Sequence, residues 1–229
     1  MKKSSWFILF ITVLIVNLLD RQLYDGQLEF FVKPLIIPVL TGYFISQTNK
    51  IPIGLKKWIL PALFFSWAGD VLLMFVPDDK IFFLLGLSSF LLAHIAYILF
   101  FHRVRIRENI KAGPGLLVVV VVYYAALITL LFPHLYDMKI PVLVYGMVIS
   151  VMFMLAMHML FIKKRAAGQW MMIGALLFVI SDSVLAINKF YQSFEMAGVI
   201  IMLTYGLAQL FIVHGAVKYI NLQDDKIRN

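Results

Sequence analysis

The sequence has no cysteine and few charged residues, which make up 14% of its 229 residues. Without cysteine, the chain has no disulfide, no thiolate ligand for zinc and no thiol nucleophile. Hydrophobic residues reach 62% and the mean hydropathy is +0.93, whereas a soluble globular domain is roughly 45–50% apolar. The composition therefore excludes an ordinary soluble domain and indicates a membrane protein.

No connector between the apolar runs is long enough to fold by itself. A helix that crosses the hydrocarbon core needs about 20 apolar residues. The sequence predicts eight such spans, at Trp6–Leu19, Phe31–Ser46, Trp58–Val76, Ile81–Phe101, Pro114–Phe132, Ile140–Ile162, Trp170–Ile187 and Ala197–Tyr219. The first two are short, so their flanking side chains must snorkel to the interface. We expect a single all-α membrane domain over residues 1–229.

The positive charges are distributed unequally between the two sides of this predicted bundle. With the N-terminus inside, fifteen lysines and arginines fall on the cytoplasmic side, and only Arg21, Lys33, Lys80, Lys139 and Lys189 fall outside. The positive-inside rule then predicts a multi-pass protein of the cytoplasmic membrane with both termini in the cytoplasm. The net charge of +8 is thus explained by topology, and we infer neither a nucleic-acid nor a protein partner.

The N-terminal Met-Lys-Lys and the apolar run after it resemble a signal peptide. No small-x-small cleavage site follows, so we expect an uncleaved first span.

Two aspartates interrupt the apolar spans, Asp70 in the third and Asp182 in the seventh. An ionisable side chain costs about 2.5–3.5 kcal/mol at membrane depth, which makes it a functional-site hypothesis by default. Ser66 lies one helical turn before Asp70, on the same face, and Ser181 flanks Asp182. The alternative is structural: an aspartate can simply hydrogen-bond a neighbouring helix.

Further polar residues occur at helical spacing in the spans or at their outer edges. His94 and Tyr97 share one stripe of the fourth span, and Tyr205 and Gln209 share one stripe of the eighth. Lys33 opens the second span, while Asn188 and Lys189 follow the seventh. Interhelical hydrogen bonds and snorkelling are the structural alternatives for these residues, and substrate binding is the functional one.

A weak internal duplication relates the two halves of the chain. Trp58 precedes Asp70 by twelve residues, and Trp170 precedes Asp182 by twelve. The offset corresponds to four spans, which suggests a parallel four-plus-four repeat with a site at its interface. The repeat predicts equal depth for the two aspartates.

The polar motifs, taken in order, resemble a known family. They are Lys33-Pro34, Ser66-x-x-Gly69-Asp70, Phe90-x-x-x-His94-x-x-Tyr97, Ser181-Asp182 and Tyr205 to Gln209. This combination resembles the YhhN family of membrane proteins, which includes the lysoplasmalogenases. The resemblance implies hydrolysis of the vinyl ether bond of lysoplasmalogen, a lysophospholipid of the bilayer, to a fatty aldehyde and glycerophospho-ethanolamine or -choline. It implies no cofactor.

The two aspartates suit this chemistry, in which protonation of the vinyl ether generates an oxocarbenium ion that water captures. Two carboxyl groups serve glycosidases in the same way, so we take Asp70 and Asp182 as the catalytic pair, without assigning acid and base. Lys33 and Lys189 are expected to bind the phosphate. The other substrate-binding or water-positioning candidates are Ser66, His94, Tyr97, Ser181, Asn188, Tyr205 and Gln209.

Three alternatives remain open at this stage, one of which is a purely structural or sensory membrane protein. A metal hydrolase would need a His/Asp cluster, but the sequence puts His94, His158 and His214 in the inner half of the bilayer and the aspartates in the outer half, so no metal is expected. A proton-coupled transporter also uses intramembrane carboxylates and repeats. Transporter helices are often interrupted by Gly or Pro in the middle of a span. Here such breaks are few, apart from Pro38 and Pro61, which counts against a transporter.

Overall fold

A computed structural model describes residues 3–24, 26–49, 51, 54–76, 79 and 81–228. The side chains of residues 3, 4 and 222–228 are not described. Lys2, Lys50 and Lys80, which enter the charge count above, lie outside the described residues.

Within these residues the chain forms eight α-helices and no strand. They are α1 (Lys3–Leu23), α2 (Glu29–Thr48), α3 (Lys56–Met74), α4 (Ile81–Arg107), α5 (Pro114–Leu131), α6 (Lys139–Met157), α7 (Arg165–Ala186) and α8 (Ala197–Arg228). A 3₁₀ turn over His158–Phe161 follows α6, and a π-helical turn over Ile187–Tyr191 follows α7. All eight described helices are long and apolar enough to cross a membrane. The predicted all-α membrane class with eight spans is confirmed.

The first two helices are longer than their apolar runs. α1 has 21 residues and α2 has 20, so neither is short for a membrane span. The helices continue through polar residues at their ends, such as Arg21 in α1 and Glu29 in α2. The sequence underestimated both spans because hydropathy marks where apolar residues stop and not where backbone hydrogen bonding stops.

Short connectors join consecutive helices, which therefore run in opposite directions. The ends of α1, α3, α5 and α7 and the beginnings of α2, α4, α6 and α8 all lie at one end of the bundle, which we call the entrance end. α3 packs along α4, and α7 packs along α8. α5 lies at the periphery, where only Val120 and Leu131 of its side chains are buried.

A close crossing holds α7 against α8. A Cβ atom at Gly174 would lie 2.7 Å from the backbone nitrogen of Ile212 and 2.8 Å from the carbonyl oxygen of Ala208. Only glycine leaves room for two helix backbones at this distance, as is common in membrane bundles. Asp182 lies about two helical turns after Gly174 on α7, and Tyr205 lies about two turns before Ile212 on α8. The crossing therefore sets the relative position of two candidate site residues.

Candidate active site

A cavity of about 560 Å³ opens at the entrance end of the bundle. Seven of the predicted site residues line it: Lys33, Asp70, Ser181, Asp182, Asn188, Lys189 and Tyr205. The same walls contain apolar side chains, among them Leu73, Phe83, Phe90, Leu185 and Met202. Both intramembrane aspartates thus face one space that is lined by polar and apolar groups together.

Asp70 is buried on α3 and is held by a tyrosine from α8. The hydroxyl of Tyr205 donates a hydrogen bond to Oδ2 of Asp70 over 2.7 Å. The Tyr205 ring is itself fixed by edge-to-face contacts with Phe90 and Phe178, at centroid distances of 5.7 and 5.5 Å. The pairing satisfies part of the hydrogen-bonding capacity of a carboxyl group that burial deprives of water.

Asp182 has a matching tyrosine partner. The hydroxyl of Tyr145, on α6, donates to Oδ2 of Asp182 over 2.5 Å. Nε2 of His94 lies 3.7 Å from the same oxygen, which is too long for a direct hydrogen bond. The His94 ring packs edge-on against Tyr145 and Phe178, with centroids 5.3 and 4.7 Å away. The aromatic packing fixes the imidazole beside the carboxyl group.

The sequence placed His94 apart from both aspartates, but the structure brings its imidazole beside Asp182. α4 begins at the entrance end, so His94 lies about 20 Å along it at 1.5 Å per residue. Asp182 lies about 13 Å from the end of the π turn by the same rise. The two depths differ by about one helical turn, which the side chains span. Within the part of the chain that the structure describes, no three His, Asp or Glu side chains come close enough to hold a metal.

A hydrogen-bonded layer lies one helical turn deeper than Asp70 and Tyr205. The hydroxyl of Tyr97 donates to Oε1 of Gln209 over 2.6 Å, and Nε2 of Gln209 donates to Oγ of Ser66 over 2.8 Å. These three side chains are fully buried and connect α4, α8 and α3. Together with His94 they stand behind the cavity wall, although the sequence led us to expect them on it. They are positioned to orient the wall residues.

Cationic side chains mark the cavity mouth. Lys33 is buried along its length, and its Nζ lies 3.2 Å from Oε1 of Glu29, which also accepts a hydrogen bond from Arg21. Nζ of Lys189 lies 5.1 Å from the centre of the Phe83 ring. The π turn brings Lys189 onto the wall that also carries Asp182. The mouth can therefore receive an anionic group above the aspartates.

Two predicted wall residues use polar atoms to hold helix ends together. Oγ of Ser181 donates to the carbonyl of Ile201 over 3.0 Å, joining α7 to α8. Oδ1 of Asn188 accepts from the backbone N–H of Phe194 over 3.2 Å, which braces the connector between the same helices.

Three residues of the site were not predicted: Tyr145, Arg21 and Glu29. Tyr145 is a single polar residue in an apolar span, and nothing in its neighbours along the chain identifies Asp182 as its partner. Arg21 and Glu29 stand at helix ends, where charged residues usually only meet solvent. Arg21 and Glu29 are eight residues apart, on either side of a short connector. This spacing could have predicted their ion pair, because a short turn brings the two helix ends together.

The fold and site define an eight-helix integral membrane protein with one buried and one partly buried carboxyl group, Asp70 and Asp182, at a cavity that has cationic and apolar side chains on its walls. The model of the YhhN family matches residues 28–216. The chain belongs to the YhhN family, as the sequence motifs predicted.

Several characterised proteins are similar to this chain. The lysoplasmalogenases of Mycobacterium bovis and Mycobacterium tuberculosis are each 33% identical over 168 residues, which is 72% of this chain and 62% of theirs. The chain thus spans less than two thirds of the length of these mycobacterial relatives. Human lysoplasmalogenase TMEM86B is 31% identical over 202 residues, which is 85% of this chain and 79% of the human protein. No solved structure matches the chain.

Proposed function

We propose that this protein is a membrane-embedded hydrolase that cleaves the vinyl ether bond of a lysoplasmalogen. The observation that carries the proposal is that Asp70 and Asp182, from different helices, line one cavity. The similarity to proteins named lysoplasmalogenase supports the choice of substrate. The reaction consumes one water and yields a fatty aldehyde and a glycerophospho-ethanolamine or -choline.

The cavity walls carry the kinds of groups that this substrate requires. In a lysoplasmalogen, the glycerol unit separates the phosphate from the vinyl ether, and the alkenyl chain follows. Lys33 and Lys189 would bind the phosphate, and Asp70 and Asp182 lie on the walls of the same cavity. Phe90 and Met202 offer apolar contacts for the start of the chain. The headgroup would remain at the interface while the tail stays in lipid.

The two aspartates would divide the acid and base roles between them. One carboxyl group protonates the carbon β to the ether oxygen, so the π electrons form a C–H bond and the charge passes to an oxocarbenium ion. The other, as carboxylate, takes a proton from water as the water oxygen bonds to that cation. In the collapse of the hemiacetal, its hydroxyl proton passes to the first carboxylate as the C=O bond of the aldehyde forms. The C–O bond to glycerol breaks, and the second carboxyl group gives its proton to the leaving glycerol oxygen, so both aspartates return to their starting states. Paired carboxyl groups stabilise oxocarbenium-like transition states in this manner.

The hydrogen bonds around each aspartate support these roles. Tyr205 and Tyr145 each bind Oδ2 of one aspartate, while Oδ1 of each has no hydrogen-bond partner among the described side chains and backbone groups. One oxygen of each carboxyl group is therefore oriented by the protein, and the other is left for substrate or water. A fixed orientation of this kind is what general acid–base catalysis requires.

The test is aldehyde release by the purified protein in detergent. We expect aldehyde from a lysoplasmenyl-ethanolamine and no free fatty acid from the matching acyl lysophospholipid, because an ester has no vinyl carbon to protonate. A metal chelator should leave the rate unchanged, since only the aspartates carry the proton transfers. A well-folded protein that releases no aldehyde, or one that chelation inactivates, would contradict the proposal.

The alternative of a proton-coupled transporter has no specific support in the geometry. A carrier must open its site to each side of the membrane in turn. The cavity opens at the entrance end, and the fully buried layer of Ser66, Tyr97 and Gln209 lies beneath it.

We further propose that the chain is one membrane domain with both termini in the cytoplasm, so that the entrance end faces outward. Because the chain has no cysteine, single introduced cysteines report topology without background. Lys111→Cys is exposed in the connector after α4, and Tyr136→Cys is exposed at the entrance end. In intact cells we expect an impermeant maleimide to label only the position-136 variant, with the position-111 variant labelled after lysis. The opposite pattern would reverse the topology.

The four-plus-four repeat is also a proposal. The pairing of α3 with α4 and of α7 with α8 supports it, because each pair contributes one aspartate to the cavity. An experimental structure tests it: superposing α1–α4 on α5–α8 should bring Asp70 onto Asp182 at one depth.

A further inference from the structure

A second, smaller chamber of about 290 Å³ adjoins the main cavity at the entrance end. The two spaces share four wall residues: Arg21, Gly26, Glu29 and Gly198. Gln22, Glu195 and Val199 complete the smaller chamber. The two spaces therefore border each other at Arg21 and Glu29, which are paired.

The shared wall is held in place by the connector between α1 and α2. The carboxylate of Asp20 accepts hydrogen bonds from the backbone N–H of Leu28 over 3.0 and 3.1 Å, and the Asp20 carbonyl accepts from Gly26 over 3.2 Å. Gly26 has φ +78°, a conformation that favours glycine. This tight turn brings Arg21 at the end of α1 against Glu29 at the start of α2, so the wall is preorganised for a ligand.

The charged residues at this wall differ between the two spaces. Oε1 of Glu29 accepts hydrogen bonds from both Arg21 and Lys33. Oε2 of Glu29 lies over Gly26, 3.3 Å from where a Cβ atom would stand. Arg21 and Glu29 line both spaces, Lys33 lines only the main cavity, and the exposed Glu195 lines only the side chamber. The side chamber therefore has two carboxylates and one cation on its walls.

We infer that the side chamber binds the primary ammonium of an ethanolamine headgroup, while Arg21 at the junction joins Lys33 and Lys189 in binding the phosphate. The inference rests on the proposed function and specifies its preferred substrate. The chamber could hold roughly ten water-sized groups, at about 30 Å³ for each. Such a space accommodates the headgroup beyond the phosphate.

The chamber walls favour ethanolamine over choline. A primary ammonium has three N–H donors for the carboxylates of Glu29 and Glu195. The trimethylammonium of choline has none, and proteins that recognise it surround it with aromatic rings. Among the described residues that line the side chamber, none is aromatic. Choline would donate no hydrogen bond to either carboxylate.

The test is direct binding of two non-cleavable alkyl ether lysophospholipids, identical except for ethanolamine or choline, to the full chain in detergent. We expect the wild type to bind the ethanolamine lipid about 10-fold more tightly, the effect of a charge-assisted hydrogen bond. Glu29→Gln and Glu195→Gln should each reduce this ratio toward one. Phosphate binding is common to both lipids, so its changes cancel in the ratio.

The matched control is Glu108→Gln, because the chain has only three glutamates and Glu108 lies at the opposite end of the bundle. This variant should keep the wild-type ratio. A ratio near one in the wild type, or a ratio that survives both chamber substitutions, would overturn the inference. Aldehyde release without headgroup preference would overturn it and leave the proposed function intact. Selective binding without aldehyde release would support the chamber and count against hydrolysis.

Discussion

Asp182→Asn is expected to lower kcat for vinyl ether hydrolysis by about 10²–10⁴-fold, and Asp70→Asn should lower it by a similar factor. Asparagine keeps the shape of the side chain and can still accept a hydrogen bond from Tyr145 or Tyr205, but it can neither give nor take the catalytic proton. Aldehyde release at saturating substrate measures the effect. The double variant should be no slower than the slower single variant, because the two groups act as a unit.

Asp137→Asn is the matched control for this pair. Asp137 is exposed in the connector between α5 and α6 and does not line the cavity. It should have the rate of the wild type. Thermal unfolding of the wild type and of the four variants separates loss of catalysis from loss of folding. If either intramembrane variant keeps more than about a tenth of the wild-type rate while folded, that aspartate is structural and the two-carboxylate mechanism fails.

The second large effect is expected on stability, from Gly174→Ala. The new methyl group would meet backbone atoms of Ile212 and Ala208 at 2.7–2.8 Å, and a helix backbone cannot rotate away as a side chain can. α7 and α8 must separate, at a cost of about 1–3 kcal/mol for an overpacked core. The free energy of unfolding in a mixed-micelle SDS titration measures this loss.

Gly115→Ala provides the comparison, because a Cβ atom there would have no described atom within 4 Å. The same chemical change should leave stability unchanged or slightly higher, since alanine favours helix more than glycine does. Equal stability of the two variants would mean that the close crossing of α7 and α8 does not contribute to the fold. The α7–α8 crossing also positions Asp182 and Tyr205. We therefore expect Gly174→Ala to lower activity, because separating the helices moves these two side chains apart.

The fold class could be predicted from the sequence for a physical reason. In hydrocarbon every backbone N–H and C=O must be bonded within the chain, so an apolar run of sufficient length is a helix. The eight spans followed from that constraint. Their ends did not, because Arg21 and Glu29 continue α1 and α2 beyond the apolar residues.

The candidate site was predictable to the extent that its members are costly in a membrane. Asp70, Asp182 and Lys33 could be identified because an ionisable group is retained at depth only where something compensates it. The compensating partners could not be identified. Tyr145 and Tyr205 are unremarkable in sequence, and each meets its aspartate from a helix distant along the chain.

The sequence alone therefore determined the membrane class, the number of spans and the residues that burial would penalise, since these depend on transfer free energy and local periodicity. Only the tertiary structure decided that His94 stands beside Asp182, that Ser66, Tyr97 and Gln209 lie behind the cavity wall, and that Arg21 and Glu29 border a side chamber. Helix tilt, rotation and close crossing determine those relations, and they arise from packing between segments far apart in the chain.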